Sequence, residues 1–205
     1  MRSENRRKRQ RRKWLVIELA CVAAFLVLAG MLITRLTRQS HRSAEERAAQ
    51  EALTRIQTEQ TITPTTAPSE APPQQMFAYA QELLQTNGDL VGMVGFDDMT
   101  LYVCQGEDNT FYASHRFDGS EDPAGMIYMD CRCSAWPLGQ NTILYGHNMR
   151  DGSRFGKLNR LTDAEYLAEH PYVRYASLYE IRDYRPIAVF YANVDPAAED
   201  YFDFA

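Results

Sequence analysis

The chain has no cysteine after Cys133, no CxxC pair, no internal repeat and only four histidines in its 205 residues. Each shortage excludes something. Without CxxC…CxxC spacing there is no structural zinc signature, and no metal or other cofactor is expected. A chain of this length without repeats suits one sizeable core with appendages. Positive charge is also scarce outside the first 13 residues. MRSENRRKRQRRK holds eight of the 22 basic side chains and one of the 27 acidic ones. The remainder keeps 14 basic against 26 acidic groups, a net charge of −12. An acidic body argues against nucleic acid as a partner.

Long apolar runs are limited to one. WLVIELACVAAFLVLAGMLI, 14–33, is apolar except for Glu18. Twenty helical residues reach roughly 30 Å, the thickness of a hydrocarbon core. The cations before it outnumber Arg35 and Arg38 behind it. This predicts a cytoplasmic tail over 1–13, a single-pass anchor over 14–33 and an extracellular remainder. A cleaved signal peptide is the rival reading, disfavoured by the run's length and the lack of a small-x-small site before Thr34. Glu18 lies near the interface, and Cys21 reads as a small apolar residue.

Residues 34–62 alternate charge with Ala, Leu and Gln, which predicts a solvated helix. TPTTAPSEAPPQQ, 63–75, reads as an extended linker. The juxtamembrane stretch is therefore 34–75 and the globular domain 76–205. That domain opens with a helix over 76–86 and continues through β-type runs at 90–96, 101–105, 111–114, 126–129 and 142–145, split by turn signals. LTDAEYLAEH, 161–170, carries Thr162 as candidate N-cap with Glu165 three residues on. Two further strands are expected at 172–182 and 185–194. VDPAAEDYFDFA then stops at Ala205 without a closing strand.

Among His41, His115, His147 and His170, only His147 sits at a strand end beside glycine and a polar loop, where catalytic groups tend to be placed. Its chemistry alone leaves a structural and a functional role equally open. Cys131 and Cys133 would share a face if extended. A bridge from Cys104 to either is undecided.

The run NTILYGHNMRDGSRFGKLNRL, 141–161, resembles the histidine-bearing segment of class B sortases, membrane-anchored cysteine transpeptidases of Gram-positive bacteria. LYVCQGEDNTFYASHRFDGSEDPAGMIYMDCR, 101–132, resembles the same family's stretch, as does the helix at 76–86 with GDLVGMVGF. The resemblance covers about 76–200. It implies a mainly β, sortase-like barrel with a short N-terminal helix and one inserted helix. It implies a thiolate that attacks a sorting-signal peptide after Thr, forming a thioacyl enzyme, and a peptidoglycan-precursor amine that resolves it. His147 matches the general acid/base, and Asn109 a groove-lining position.

The family's cysteine follows the histidine, in a TLSTC-like motif, and its arginine lies on the next strand. Neither the cysteine nor the arginine is present here, nor are their strands. Cys104, Cys131 and Cys133 precede His147 and are not expected to substitute. Arg150 and Arg154 read as solvated loop residues. The expectation is a C-terminally truncated sortase, inactive as given and marginally folded, since an open barrel leaves two edges. The alternatives are a non-catalytic, membrane-tethered peptide-binding or scaffold protein and, more weakly, a metal module using Cys131, Cys133 and a histidine.

Overall fold

A computed structural model describes residues 2–62, 76–193 and 197. The chain divides into two compact units, Met1–Ala44 and Glu45–Ala205. Helix α1 (Arg2–Ile62) runs through the first and into the second. Its apolar stretch near the N-terminus is long and apolar enough to cross a membrane. Phe25, Leu26, Leu28 and Met31 are exposed there, as a lipid-facing surface requires.

The second unit is built on a curled six-stranded mixed sheet. After α2 (Ala78–Thr86) come β1 (Leu90–Phe96), β2 (Met99–Cys104), β3 (Ile127–Met129) and β4 (Leu144–Tyr145). Helix α3 (Ala164–Glu169), β5 (Val173–Ser177) and β6 (Ile181–Tyr184) follow. The strand order is β4-β3-β2-β1-β5-β6. Only β2 and β3 pair in parallel, with Val103 opposite Ile127, after a crossover through 105–126. β4 and β6 end the order.

Period-two alternation divides the side chains between two faces. On one, Met93, Tyr102, Cys104, Met126 and Ala176 pack with α2. On the other, Val94, Phe96, Leu101, Val103, Ile127, Met129 and Tyr175 pack with Leu161 and Tyr166. β1 lies over the expected residues; its partner begins two residues early, at Met99.

The C-terminal part of α1 corrects the expectation of a solvated helix. Ala49, Ala52, Leu53 and Ile56 are all buried in the first cluster. Their spacing of three, four and seven is one helical face. The surrounding Glu, Arg and Gln occupy the other face and disguise it. Two alanines let the helix lie close, and burying Leu53 and Ile56 contributes about 1.5–3 kcal/mol each. The Thr100 hydroxyl donates to Gln50 of this helix.

Other expectations also change. Phe111–Ala113 is a 3-10 turn, held by Asp108 Oδ1 accepting from the amides of Thr110 and Phe111, rather than a strand. The strand expected at 172–182 is a hairpin of β5 and β6. Ser177 turns it, its amide and hydroxyl both donating to the Glu180 carbonyl. No strand forms over 185–193. The cap of α3 is Asp163, whose Oδ1 accepts from Glu165 and Tyr166; the Thr162 hydroxyl instead donates back to Asn159. The 63–75 linker and the aromatic end from 198 onward lie outside the described residues.

Candidate functional site

The site is assembled at the end of β4. Tyr145 leaves the sheet with its hydroxyl donating to Asp130 Oδ2 at 2.7 Å. Asp130 is fully buried and is the hub of a polar network at the end of β3. Arg132 donates to both of its oxygens, at 2.9 and 2.8 Å, and Asn109 Nδ2 donates to Oδ2 at 3.0 Å. The Arg132 guanidinium, ahead of the backbone and Tyr145 donors, holds the carboxyl well below the usual carboxylate range. Tyr145 is pushed up, first by burial and then by Asp130. Gln105 Nε2 donates to the carbonyls of Asp130 and Cys133, both at 2.8 Å, and fixes the following turn.

Gly146 comes next. A Cβ there would collide with Ile127 and Phe155, so the chain passes at a distance only glycine allows. His147 follows, with its ring exposed. Its carbonyl accepts from the Phe155 amide at 3.0 Å, and Asn148 bridges Arg154 across the loop. Asp151 Oδ1 closes the tip, accepting from the Ser153 amide and hydroxyl at 3.0 and 2.6 Å. Asn148 and Asn159 exchange side-chain hydrogen bonds at 3.1 and 2.6 Å. Gly156 ends the loop against the Met149 carbonyl, where a Cβ would clash with backbone. The GHNMRDGSRFG string is thus a closed hairpin that holds one histidine out from the sheet.

The histidines differ in engagement. His115 stacks on Phe111 at 4.0 Å with Nδ1 2.7 Å from the Phe111 carbonyl. His170 ends α3, stacks on Tyr166 and places Nε2 3.3 Å from Asp97. Among the described residues no side chain holds the His147 ring, which leaves both nitrogens open to a reacting group.

Beside the loop the second face opens into a cavity of about 650 Å³. Val94, Phe96, Leu144, Asn148, Phe155 and Phe190 contribute to its wall. Asn109 is not in that wall. Both ends of its amide are used within the Asp130 network, Oδ1 accepting from the Cys131 amide at 2.8 Å. It therefore links to His147 indirectly, through Asp130 and Tyr145.

The cysteines are not arranged as nucleophiles. Cys104 is buried on the helix-covered face, and burial pushes its thiol far above the ordinary range. Cys131 and Cys133 lie on a turn after β3, not on a strand, so the shared-face premise fails. Cys133 is half-buried and its sulfur accepts from the Ile143 amide at 3.4 Å. Among the described residues, no three His, Cys, Asp or Glu side chains converge as a metal site.

Arg150 is exposed, as a solvated loop residue is expected to be, but Arg154 is 1% exposed. The sequence reading missed Arg154 and Asp130. An acid placed just after the apolar IYM run, two residues before arginine, was a usable signal for Asp130. For Arg154 the sequence holds none, because its burial follows from a left-handed φ of 55° that redirects the side chain.

No family model matches the chain. Sortase B of Listeria monocytogenes is 36% identical over 99 residues, spanning 47% of this chain and 40% of that protein's length. A solved structure of sortase B from Listeria monocytogenes superposes with a TM-score of 0.52 at 33% identity, covering 56% of this chain and 67% of that one. A Bacillus anthracis structure described as similar to sortase B superposes at 0.57 and 28% identity, covering 75% and 73%. A Staphylococcus aureus sortase B–substrate complex superposes at 0.65, covering 82% and 73%; at 19% identity this bears on the fold alone.

Proposed function

The chain belongs to the class B sortases, and on that premise we propose that its globular unit carries the acid–base half of a cysteine transpeptidase, with His147 as the proton-transfer group. The observation that supports this is the exposed His147, whose ring no side chain among the described residues engages, on a loop whose backbone is pinned at both ends.

The reaction that fits is acyl transfer on a sorting-signal peptide. A cysteine thiolate bonds the carbonyl carbon of Thr, and the peptide C–N bond to the next residue breaks. The departing amine takes a proton from the His147 imidazolium. The incoming peptidoglycan-precursor amine then attacks the thioester, gives its proton to neutral His147, and the thiolate leaves. An arginine steadies the oxyanion in both steps. Among the described residues neither a placed thiol nor that arginine accompanies His147, so this polypeptide is expected to be inactive by itself. The apolar segment anchors it, with the eight N-terminal cations on the cytoplasmic side and the domain outside, towards the cell wall.

A chimera tests the reading. Residues 1–193 joined to a class B sortase C-terminal segment that carries the family's cysteine and arginine are expected to transfer a sorting-signal peptide to an amine. His147→Ala lowers that rate by about 10²–10⁴-fold. Transfer that is indifferent to His147→Ala overturns the reading, as does transfer by the 205-residue chain that depends on Cys104, Cys131 or Cys133. The open apolar cavity favours a second reading, a non-catalytic peptide-binding or scaffold protein. Saturable peptide binding by the 205-residue chain, with no acyl transfer by the chimera, selects it.

A further inference from the structure

Arg154 is an unusual loop residue. It adopts a left-handed φ of 55°, which disfavours a side chain with a Cβ, and yet it is 1% exposed. Its guanidinium leaves the histidine loop and reaches α1, where Nη2 lies 3.3 Å from Glu45 Oε2. The side chains are 2% and 14% exposed. Among the described residues its Nε has no hydrogen-bond partner, so Glu45 is the main compensation for a buried cation. Glu46, next on the helix, is half-buried. Burial raises its carboxyl pKa, and the Arg154 and then Lys157 charges lower it. Glu45, Glu46, Asp151 and Lys157 are therefore the charged groups around this contact.

The position of Arg154 in the loop gives the contact its consequence. Arg154 stands directly across the hairpin from Asn148, and the next residue, Phe155, donates its amide to the His147 carbonyl. A rotation at Arg154 passes through one bridge and one hydrogen bond to the backbone of His147. From the opposite side Gly146 and Gly156 are hemmed in by Ile127 and by Met149, so the loop has little freedom to absorb such a rotation elsewhere.

We propose that Arg154 and Glu45 are a positioning pair: the stretch of α1 that packs on the sheet also fixes the direction in which the loop presents His147. The pair rests on the acid–base reading of His147 for its purpose, but its geometry stands independently. It makes the helix a working part of the site, and it explains why a residue with no place on a solvated loop tolerates a strained φ there.

Hydrogen exchange on the full 205-residue chain in detergent micelles tests this, with Glu45→Gln, Arg154→Met, Arg154→Lys and the Glu45→Gln/Arg154→Met double variant. Each charge-removing single variant is expected to speed exchange over 146–156 by about tenfold, while β1 and β2 amides stay within about twofold. In the double variant the acceleration falls below the product of the two singles, because no charge is left stranded. Arg154→Lys, which keeps the cation, retains most of the protection. Unchanged loop exchange, strictly multiplicative effects, no rescue by lysine, or equal acceleration in β1 and β2 each overturns the pair. No substrate enters these measurements, so their failure leaves the acid–base reading standing, and loss of the His147→Ala effect leaves the pair standing.

Discussion

The two faces of one sheet are occupied in different ways. On the first, Met93, Tyr102, Cys104 and Ala176 meet α2 and Ala49, Ala52, Leu53 and Ile56 of α1, and all eight side chains are buried. On the second, Val94, Phe96 and Leu144 look partly into a cavity of about 650 Å³, bounded by the irregular segment that follows β6. The same alternating strands supply both faces. The helix-covered one contains the inaccessible thiol. The open one adjoins the exposed histidine. Both faces bury apolar side chains; the helix covers the first, and the histidine loop and the cavity lie beside the second.

Removing the α1 cover has the largest expected effect. A fragment of residues 76–205 lacks Ala49, Leu53 and Ile56 and exposes the face they cover; it is expected to show no cooperative thermal transition. Residues 45–205 are expected to show one. A cooperative transition in the shorter fragment means the α1 cover is dispensable. In the longer one, Ile56→Asp sets an unpaired charge at a site 1% exposed and is expected to cost more than about 4 kcal/mol in urea unfolding.

Asp130 belongs to neither face but joins β3, β4 and the Asn109 loop. Asp130→Ala strands Asn109, Tyr145 and Arg132 donors, and about 3 kcal/mol of stability is expected to go with them. Acid tests the same group without mutation. Its folded pKa is depressed, so its contribution is complete above the ordinary carboxylate value of about 3.9 and is lost as pH falls below it. Acid unfolding of Asp130→Asn is expected to be shallower below that value than that of the unaltered chain. Equal slopes remove Asp130 from the account.

Much of this was legible. The extent of β1, the turns around it, the inserted helix and the histidine string could all be read from local pattern. What failed, failed for physical reasons. Glu46, Arg47, Gln50 and Glu51 flank and interleave the four buried residues, so average polarity hid a helical face. The 172–182 run looks continuous because Ser177–Glu180 turns without glycine or proline. Arg154 could not be foreseen, since its direction depends on one dihedral and a partner 109 residues away. The engagement of the Asn109 amide by Asp130 and Cys131 likewise rests on partners distant in sequence.

A smaller effect is expected at α3, where the cap is Asp163 and not Thr162. Asp163→Ala is expected to cost about 1 kcal/mol, and Thr162→Ala less than half of that. A larger loss at Thr162 would return the cap to the position that the sequence suggested.

The smallest effect should come from the open face, and it completes the comparison. Val189 lines the cavity and is 37% exposed, so an aspartate there keeps its contact with water. Val189→Asp is expected to change stability by no more than about 0.5 kcal/mol, against several for the same chemistry at Ile56. The cavity wall would nonetheless gain a charge. If the second face is where an apolar peptide segment rests, its affinity falls in this variant while the urea midpoint does not move. A midpoint shift as large as that of Ile56→Asp would show that the cavity wall at Val189 is packed as closely as the α1 contact.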